Sequence, residues 1–417
     1  MTQLSDDCFA FGGPLMTAAD ALALLQRRLT AVVAPEQVAL TACAGRVLAE
    51  DVRAGRDVPP HDNAAVDGFA VFFDDLDANA GTRLPVTARV AAGHALDRAA
   101  RRGEAIRIFT GAPMPDGPDT VLMQEDCRTE GGDVVIPPGI RRGANRRHRG
   151  EDIEAGSVIL EAGRRLRPQD VGLAASVGRT ALGVYRRPRV ALFSTGDEVR
   201  EPGTALPDGC IYDANRYALA ALITELGCEV NDLGILEDRQ ETIRDALAAA
   251  AAGNDAIMTS GGASTGEEDH VRAAVETLGS IHFWRLAIRP GRPLALGMVS
   301  GVPFIGLPGN PVAVMVTFMR FARPALLLLA GCTAIEPTVY RVRADFAYRK
   351  KEGRREWLRA SLGTDASGAL VVRKFPRDGA GILTSMVESD GLVELDEALT
   401  RLDPGTMVDF LPFSEVR

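Results

Sequence analysis

Aromatic side chains are scarce, 5% of the 417 residues, which argues against the stacking platforms that hold single-stranded nucleic acid. Surplus positive charge is also missing. A net charge of −9 and a pI near 5.3 oppose non-specific attachment to anionic polymers or membranes, so an anionic ligand must be met by a local basic cluster. Neither nucleic acid nor a membrane is an expected partner. The six cysteines (Cys8, Cys43, Cys127, Cys210, Cys228, Cys332) form no C-x-x-C pair, and no histidine stands at metal-ligand spacing. A reduced, cytoplasmic protein is the expectation. Asp6 and Asp7 precede any apolar run, unlike the basic start and apolar core of a signal peptide. Nor is there an uninterrupted apolar stretch of about 18 residues: Val312 to Ala330 carries Arg320, Arg323 and Pro324 and reads as a buried or interface helix.

What the chain does have is a globular balance of 46% hydrophobic and 25% charged residues. Its length suggests about three domains. From Leu15 to Leu29 apolar residues recur at helical spacing, with Thr17 or Asp20 able to cap the start. Between Asp57 and Gly150 short alternating runs such as PVTARVAAG and EAIRIFTG, broken by PMPDGPD and IPPGIRRG, predict a small β module. It closes on RRGANRRHRGED, either a solvated loop or a ligand contact. From Arg189 to Leu329 strands and helices alternate, VALFS, CEVNDLGIL, AIMTS and IHFWRLAI separated by helices, which predicts a parallel sheet covered on both faces. After Gly331 short strands return as a second β domain.

Sheets of this kind bind ligands at the carboxyl ends of their strands. AIMTS runs straight into SGGASTGEEDH, where Ser260, Gly261 and Gly262 suit close backbone approach to an anion at a helix start. Thr265 and Glu268 also spell a capping box, so Glu267 and Glu268 have a structural explanation, and Asp269 is left as a candidate ligand or base. TGDE supplies Glu198 after a neighbouring strand and LEDR supplies Asp238 after a third. Three carboxylates at one edge would raise one another's pKa unless a cation neutralised them, and an oxygen-only set favours Mg²⁺ over zinc. Alternatively each acid faces water. In WRLAIRPGRPLALG the prolines forbid a helix, leaving Arg285, Arg289 and Arg292 on a strand end and stiff turn, either clamping an oxyanion or bridging to surface acids. LPGNPVAV (Pro308, Gly309, Asn310, Pro311) is punctuation, or a second helix N-terminus at the same edge, with Asn310 as N-cap. HDNAAVDGFAV, with Asp67, is too rich in turn formers to be core and by itself reads as a turn.

HDNAAVDGFAV, RIFTGAPMP, STGDEV, SGGASTGEEDH, RLAIRPGRPLALG, LPGNPVAV and GILTSM, in this order, closely resemble the molybdopterin molybdenumtransferases, the MoeA family, which includes the C-terminal domain of gephyrin. The resemblance runs from Leu15 to the C-terminus. It implies an α/β multidomain fold with a central three-layer αβα domain, an inserted small β domain, an elongated linking domain and a C-terminal β-barrel-like domain. The corresponding ranges are 1–55 and 150–187 for the linking domain, 56–149 for the insert, 188–332 for the central domain and 333–417 for the last. It also implies a homodimer that inserts molybdenum from molybdate into adenylylated molybdopterin with Mg²⁺, releasing AMP. A molybdopterin adenylyltransferase and downstream molybdoenzyme chaperones are the implied partners. The family's functional acids fall on Asp67, Asp152, Glu198, Asp238 and Asp269, and its hydroxyl on Thr110. Pro308 and Pro311 would shape the pterin-nucleotide pocket, and Arg359 with Ser385 would stand near the cleft. The family often carries lysine where this chain has Arg285, Arg289 and Arg292. The competing functions are an adenylyltransferase and a non-catalytic scaffold.

Overall fold

The computed structural model describes every residue except 1–3, 6, 7, 11, 14, 262–269 and 417. The chain divides into two compact units: residues 1–50, 162–167 and 183–417 form the first, and 51–161 with 168–182 the second.

In the first unit a six-stranded sheet is built from β1 (Arg189–Thr195), β2 (Glu229–Leu236), β3 (Ala256–Ser260), β4 (Gly279–Arg285), β5 (Pro293–Val299) and β6 (Val302–Leu307), in the order β2-β1-β3-β6-β5-β4. The period-2 alternation of a strand sends Val190 and Leu192 of β1 to one face and Ala191 and Phe193 to the other. Both sets are fully buried, as a parallel sheet covered twice requires. On the first face lie α1 (Ala18–Arg28) and α2 (Asn215–Glu225). On the second lie α3 (Gln240–Ala251) and α4 (His270–Leu278). Thr17 caps α1, its hydroxyl accepting from Asp20 N at 3.1 Å.

The expected three layers are present, but the sheet is mixed. Strands β2, β1, β3, β6 and β4 share one direction, and β5, set between β6 and β4, runs antiparallel to both. IHFWRLAI (β4) is reached from β3 through α4 and runs parallel to it, as the alternating pattern predicts, so only β5 departs from that pattern. The reason is loop length: Ser300 and Gly301, at φ 49° and 81°, make a two-residue turn between β5 and β6 that cannot carry a parallel crossover.

The run 311–329 is one buried helical rod: α5 (Pro311–Thr317), a π turn over Phe318–Ala322, and α6 (Arg323–Leu329). It is long enough and, at mean hydropathy 1.7, apolar enough to cross a membrane, yet it is 89% buried within the protein. Pro324 does not break it, because the wider turn just before it absorbs a residue that cannot donate to the preceding turn. Beneath it Phe321 meets Trp357 edge-on at 6.2 Å. The N-terminal stretch, for which the sequence suggests no role, joins this core: Phe9 packs edge-on against Trp284, whose Nε1 donates to Phe9 O at 2.8 Å.

The C-terminal strands β7 (Tyr340–Ala344), β8 (Arg355–Thr364), β9 (Leu370–Lys374), β10 (Gly391–Leu395) and β11 (Met407–Pro412) close in the order β8-β9-β7-β11-β10-β8, a barrel filled by residues such as Val342, Leu358, Val372 and Phe410. Ile288–Arg289 pairs with Arg355–Glu356 and so ties the arginine turn to the barrel.

The second unit holds a six-stranded sheet in the order Thr120–Met123, Gly68–Val71, Ala105–Ile108, Thr82–Val90, Asp133–Ile136, Arg128–Glu130. The segment expected to be only a turn contributes Gly68–Val71, all four residues buried. Turn formers before a strand do not prevent the strand itself from being core. In the basic run, Arg142 pairs with Asp74 and Asp119, Arg146 with Asp62 and Arg149 with Asp57. Three of its guanidinium groups thus hold the unit's own loops in place.

Candidate functional site

The carboxyl ends of β1, β3 and β6 lie side by side, since Thr259 and Ser260 pair with Gly306 and Leu307 and Ser194 pairs with Ser260. Each end opens into a glycine loop. After β1 the chain turns through Gly196 at φ 137°, where a Cβ would meet the Glu198 carboxylate at 2.7 Å, so only glycine lets that side chain fold back. After β3, Gly261 donates its N–H to Leu307 O at 3.2 Å. After β6, Pro308 to Asn310 lead into α5, with Pro311 in its first turn. Asn310 occupies the N-cap, but its side chain makes no capping hydrogen bond, contrary to the expected cap.

These loops form one wall of a cavity of about 570 Å³. Glu198, Gly261 and Gly309 line it from the sheet edge, Arg289 and Arg292 from the proline turn, and Arg359 from the barrel. The turn is fitted tightly to its neighbours, because a Cβ at Gly291 would lie 2.4 Å from the Thr317 side chain. Arg289 reaches Tyr348 Oη at 3.3 Å and the buried Glu356 at 3.5 Å, while Tyr348 donates to Glu356 at 2.9 Å. Burial first, then that carboxylate, push the Tyr348 hydroxyl up to about 12. Arg359 is 6% exposed. Its Nε donates to Ser385 Oγ at 2.9 Å and its Nη2 to the carbonyls of Gly379 and Arg377 at 3.2 and 3.4 Å. No carboxylate among the described residues forms an ion pair with it, and desolvation pulls its pKa below the usual arginine range. A smaller hollow of about 90 Å³ shares Glu198, Gly261 and Gly309 and extends to Ser260, Pro311 and Asn215.

Three sequence families match along the chain: the MoeA N-terminal region, domains I and II, over residues 16–178; a probable molybdopterin binding domain over 191–327; and the MoeA C-terminal region, domain IV, over 341–413. The molybdopterin molybdenumtransferase of Haemophilus influenzae is 35% identical over 383 residues, covering 91% of this chain and 94% of its own length. That of Nostoc sp. is 39% identical over 317 residues, covering 74% and 73%. The crystal structure of a molybdopterin biosynthesis MoeA protein from Pyrococcus horikoshii superposes with a TM-score of 0.82 at 28% identity, covering 96% of this chain and 100% of that one. The chain belongs to the molybdopterin molybdenumtransferase family. It is accordingly a transferase of molybdenum cofactor biosynthesis.

The residues matched to the MoeA family pattern are not all at one place. Glu198, Gly261, Arg289, Arg292, Pro308, Gly309, Asn310 and Arg359 line the larger cavity, Ser260 and Pro311 the smaller, and Ser385 backs Arg359. Asp238 follows β2 and accepts from Thr195 Oγ1 at 3.3 Å, which places it beside the end of β1. Arg285 instead ends β4, exposed, and lines neither hollow, because the edge strand carries it away from the turn. Asp67, Thr110 and Asp152 belong to the second unit. There Asp67 Oδ1 accepts from Thr110 N at 2.8 Å and Thr110 Oγ1 at 2.9 Å, and these bonds, backbone first, hold its carboxyl below the ordinary range. Asp152 is exposed. Gly262 and Asp269, with the proposed capping box, lie outside the described residues.

No group of three or more His, Cys, Asp or Glu side chains among the described residues is arranged to hold a metal ion. Mg²⁺ asks for less, keeping several waters and taking one or two carboxylates together with substrate phosphates. Glu198, facing both hollows, and Asp238, beside Thr195, fit that oxygen-only demand. Sequence reasoning missed Asn215, Tyr348 and Glu356. Asn215 is the first residue of α2 and Glu356 stands in an ordinary strand, so neither carries a local signal.

Proposed function

We propose that the protein inserts molybdenum from molybdate into adenylylated molybdopterin, with Mg²⁺-dependent hydrolysis and release of AMP. The observation that carries this reading is Arg359, a desolvated guanidinium on the wall of the 570 Å³ cavity that forms no ion pair among the described residues. Such a group can take an oxyanion as its direct partner, and its planar fork suits two oxygens of one anion. Gly261 and Gly309 offer close backbone approach to phosphate beside the α5 N-terminus. Arg289 and Arg292 supply positive charge where the phosphoanhydride develops negative charge as AMP leaves. The dithiolene sulfurs that take the molybdenum belong to the ligand, so no cysteine is needed. Glu198 and Asp238, joined by Asp269 in the family pattern, would hold Mg²⁺, which when bound neutralises phosphate charge. Asp67, Thr110 and Asp152 are proposed as functional groups on the same pattern. The reading extends to a cytoplasmic homodimer working with a molybdopterin adenylyltransferase and downstream molybdoenzyme chaperones.

Incubating the purified protein with adenylylated molybdopterin and micromolar molybdate, with and without Mg²⁺, tests this by AMP release. Release is expected only with Mg²⁺, and Arg359→Met should lower the rate about 100-fold or more. Vigorous adenylyl transfer from ATP to molybdopterin by this chain alone would establish the adenylyltransferase instead, wild type that neither releases AMP nor inserts molybdenum would favour the scaffold, and full molybdenum insertion by Glu198→Ala would remove Glu198 from the proposed metal site.

A further inference from the structure

We propose that Asn215 is a positioning residue that holds the loop start Ser260–Gly261 and the LPGN loop at a fixed separation. The inference rests on the reading above, in which these two loops receive the phosphate-bearing ligand. Its side-chain amide donates both hydrogens, one to Ser260 Oγ at 2.8 Å and one to Gly309 O at 2.8 Å. One planar NH₂ group thus spans the loops after β3 and β6. Little else does so among the described residues. The loops share one backbone bond beyond their strands, from Gly261 to Leu307 at 3.2 Å. Gly261 sits at φ 87°, and a Cβ at Gly309 would find nothing within 4 Å, so the backbone has room to move. Nor does the Asn310 side chain cap α5.

A clamp must itself be fixed, and Asn215 is. It stands between Asp213 and Arg216, both 4% exposed. Asp213 Oδ1 accepts from Arg216 N at 3.1 Å and Oδ2 from Arg216 Nε at 3.0 Å, and Arg216 also pairs with Asp232 and Glu201. The start of α2 is therefore anchored independently of the loops it bridges. The chemistry also selects the residue type. Serine offers one donor, and aspartate offers none, turning an oxygen toward the Gly309 carbonyl.

The test compares wild type with Asn215→Ala and Asn215→Asp in steady-state AMP release and in hydrogen exchange of the full chain. The expected result is a KM for adenylylated molybdopterin raised about 10-fold or more, with a smaller change in kcat. Peptides spanning 256–261 and 306–312 should exchange faster while β1 keeps its protection. Ser260→Ala removes one arm only and should give an intermediate effect, which keeps the proposal testable if the Asn215 variants do not fold. Unchanged KM and unchanged loop exchange in folded variants would overturn the clamp alone. Faster exchange throughout the unit would mean a merely structural residue and would also overturn it. Wild type that neither binds nor turns over the adenylylated pterin would overturn the functional reading and the clamp with it.

Discussion

Arg216 and Arg359 are nearly equally buried, yet one is surrounded by carboxylates and the other by carbonyls and a hydroxyl. A buried ion pair is weak evidence of net stability, since desolvation opposes attraction, but it fixes geometry. That is the use of Arg216, whereas Arg359 carries the anion-binding role proposed above. A third arrangement shows how such contacts couple to pH. Glu104 accepts from Arg98 at 2.7 Å and from Thr87 at 2.6 Å, and these bonds, the arginine first, bring its carboxyl down to about 2. A folded-state pKa below the unfolded value stabilises above the unfolded value, near 4.5, and that stabilisation is lost as pH falls toward 2. Arg98→Met should therefore lower the urea midpoint most at neutral pH, with the difference from wild type shrinking between pH 5 and pH 2. A difference that grew on acidification would contradict this assignment.

Among the elements, those with a clear period were legible in the sequence, and those defined by a partner were not. The helices α1, α2 and α3 and the strands β1, β2 and β3 follow from apolar spacing, because each buries one stripe or both faces. The reversed direction of β5 has no such signature, since a buried strand looks alike in either direction. The rod from 311 to 329 is buried as its sequence suggests, and what the sequence does not show is how its charges are housed: Arg320 pairs with Glu394 at 3.6 Å and Arg323 donates to Ile335 O at 2.9 Å. Phe321 joins this rod to the barrel through Trp357. Phe321→Ala should cost about 3–5 kcal/mol of unfolding free energy, read from chemical denaturation followed by tryptophan emission. A loss below about 1 kcal/mol would mean that the contact is not part of a tightly packed core.

For the whole molecule, the net charge of −9 is dispersed over a surface whose basic run is largely neutralised by neighbouring acids. Retention on a cation exchanger or a shift of duplex DNA at 0.15 M salt is therefore not expected, and a clear gel shift would refute that view of the surface. The sequence by itself determined the pieces: alternation that makes strands, periodicity that makes helices, and glycine loops placed directly after buried strands. Local propensity and spacing suffice for those, because neighbours along the chain decide them. Tertiary structure alone decided that Asn215 reaches Gly309, that Arg289 meets Glu356, and that Arg359 meets Ser385 and the Gly379 carbonyl. Those relations join residues dozens of positions apart through strand order and packing, and no local pattern encodes which distant group will arrive.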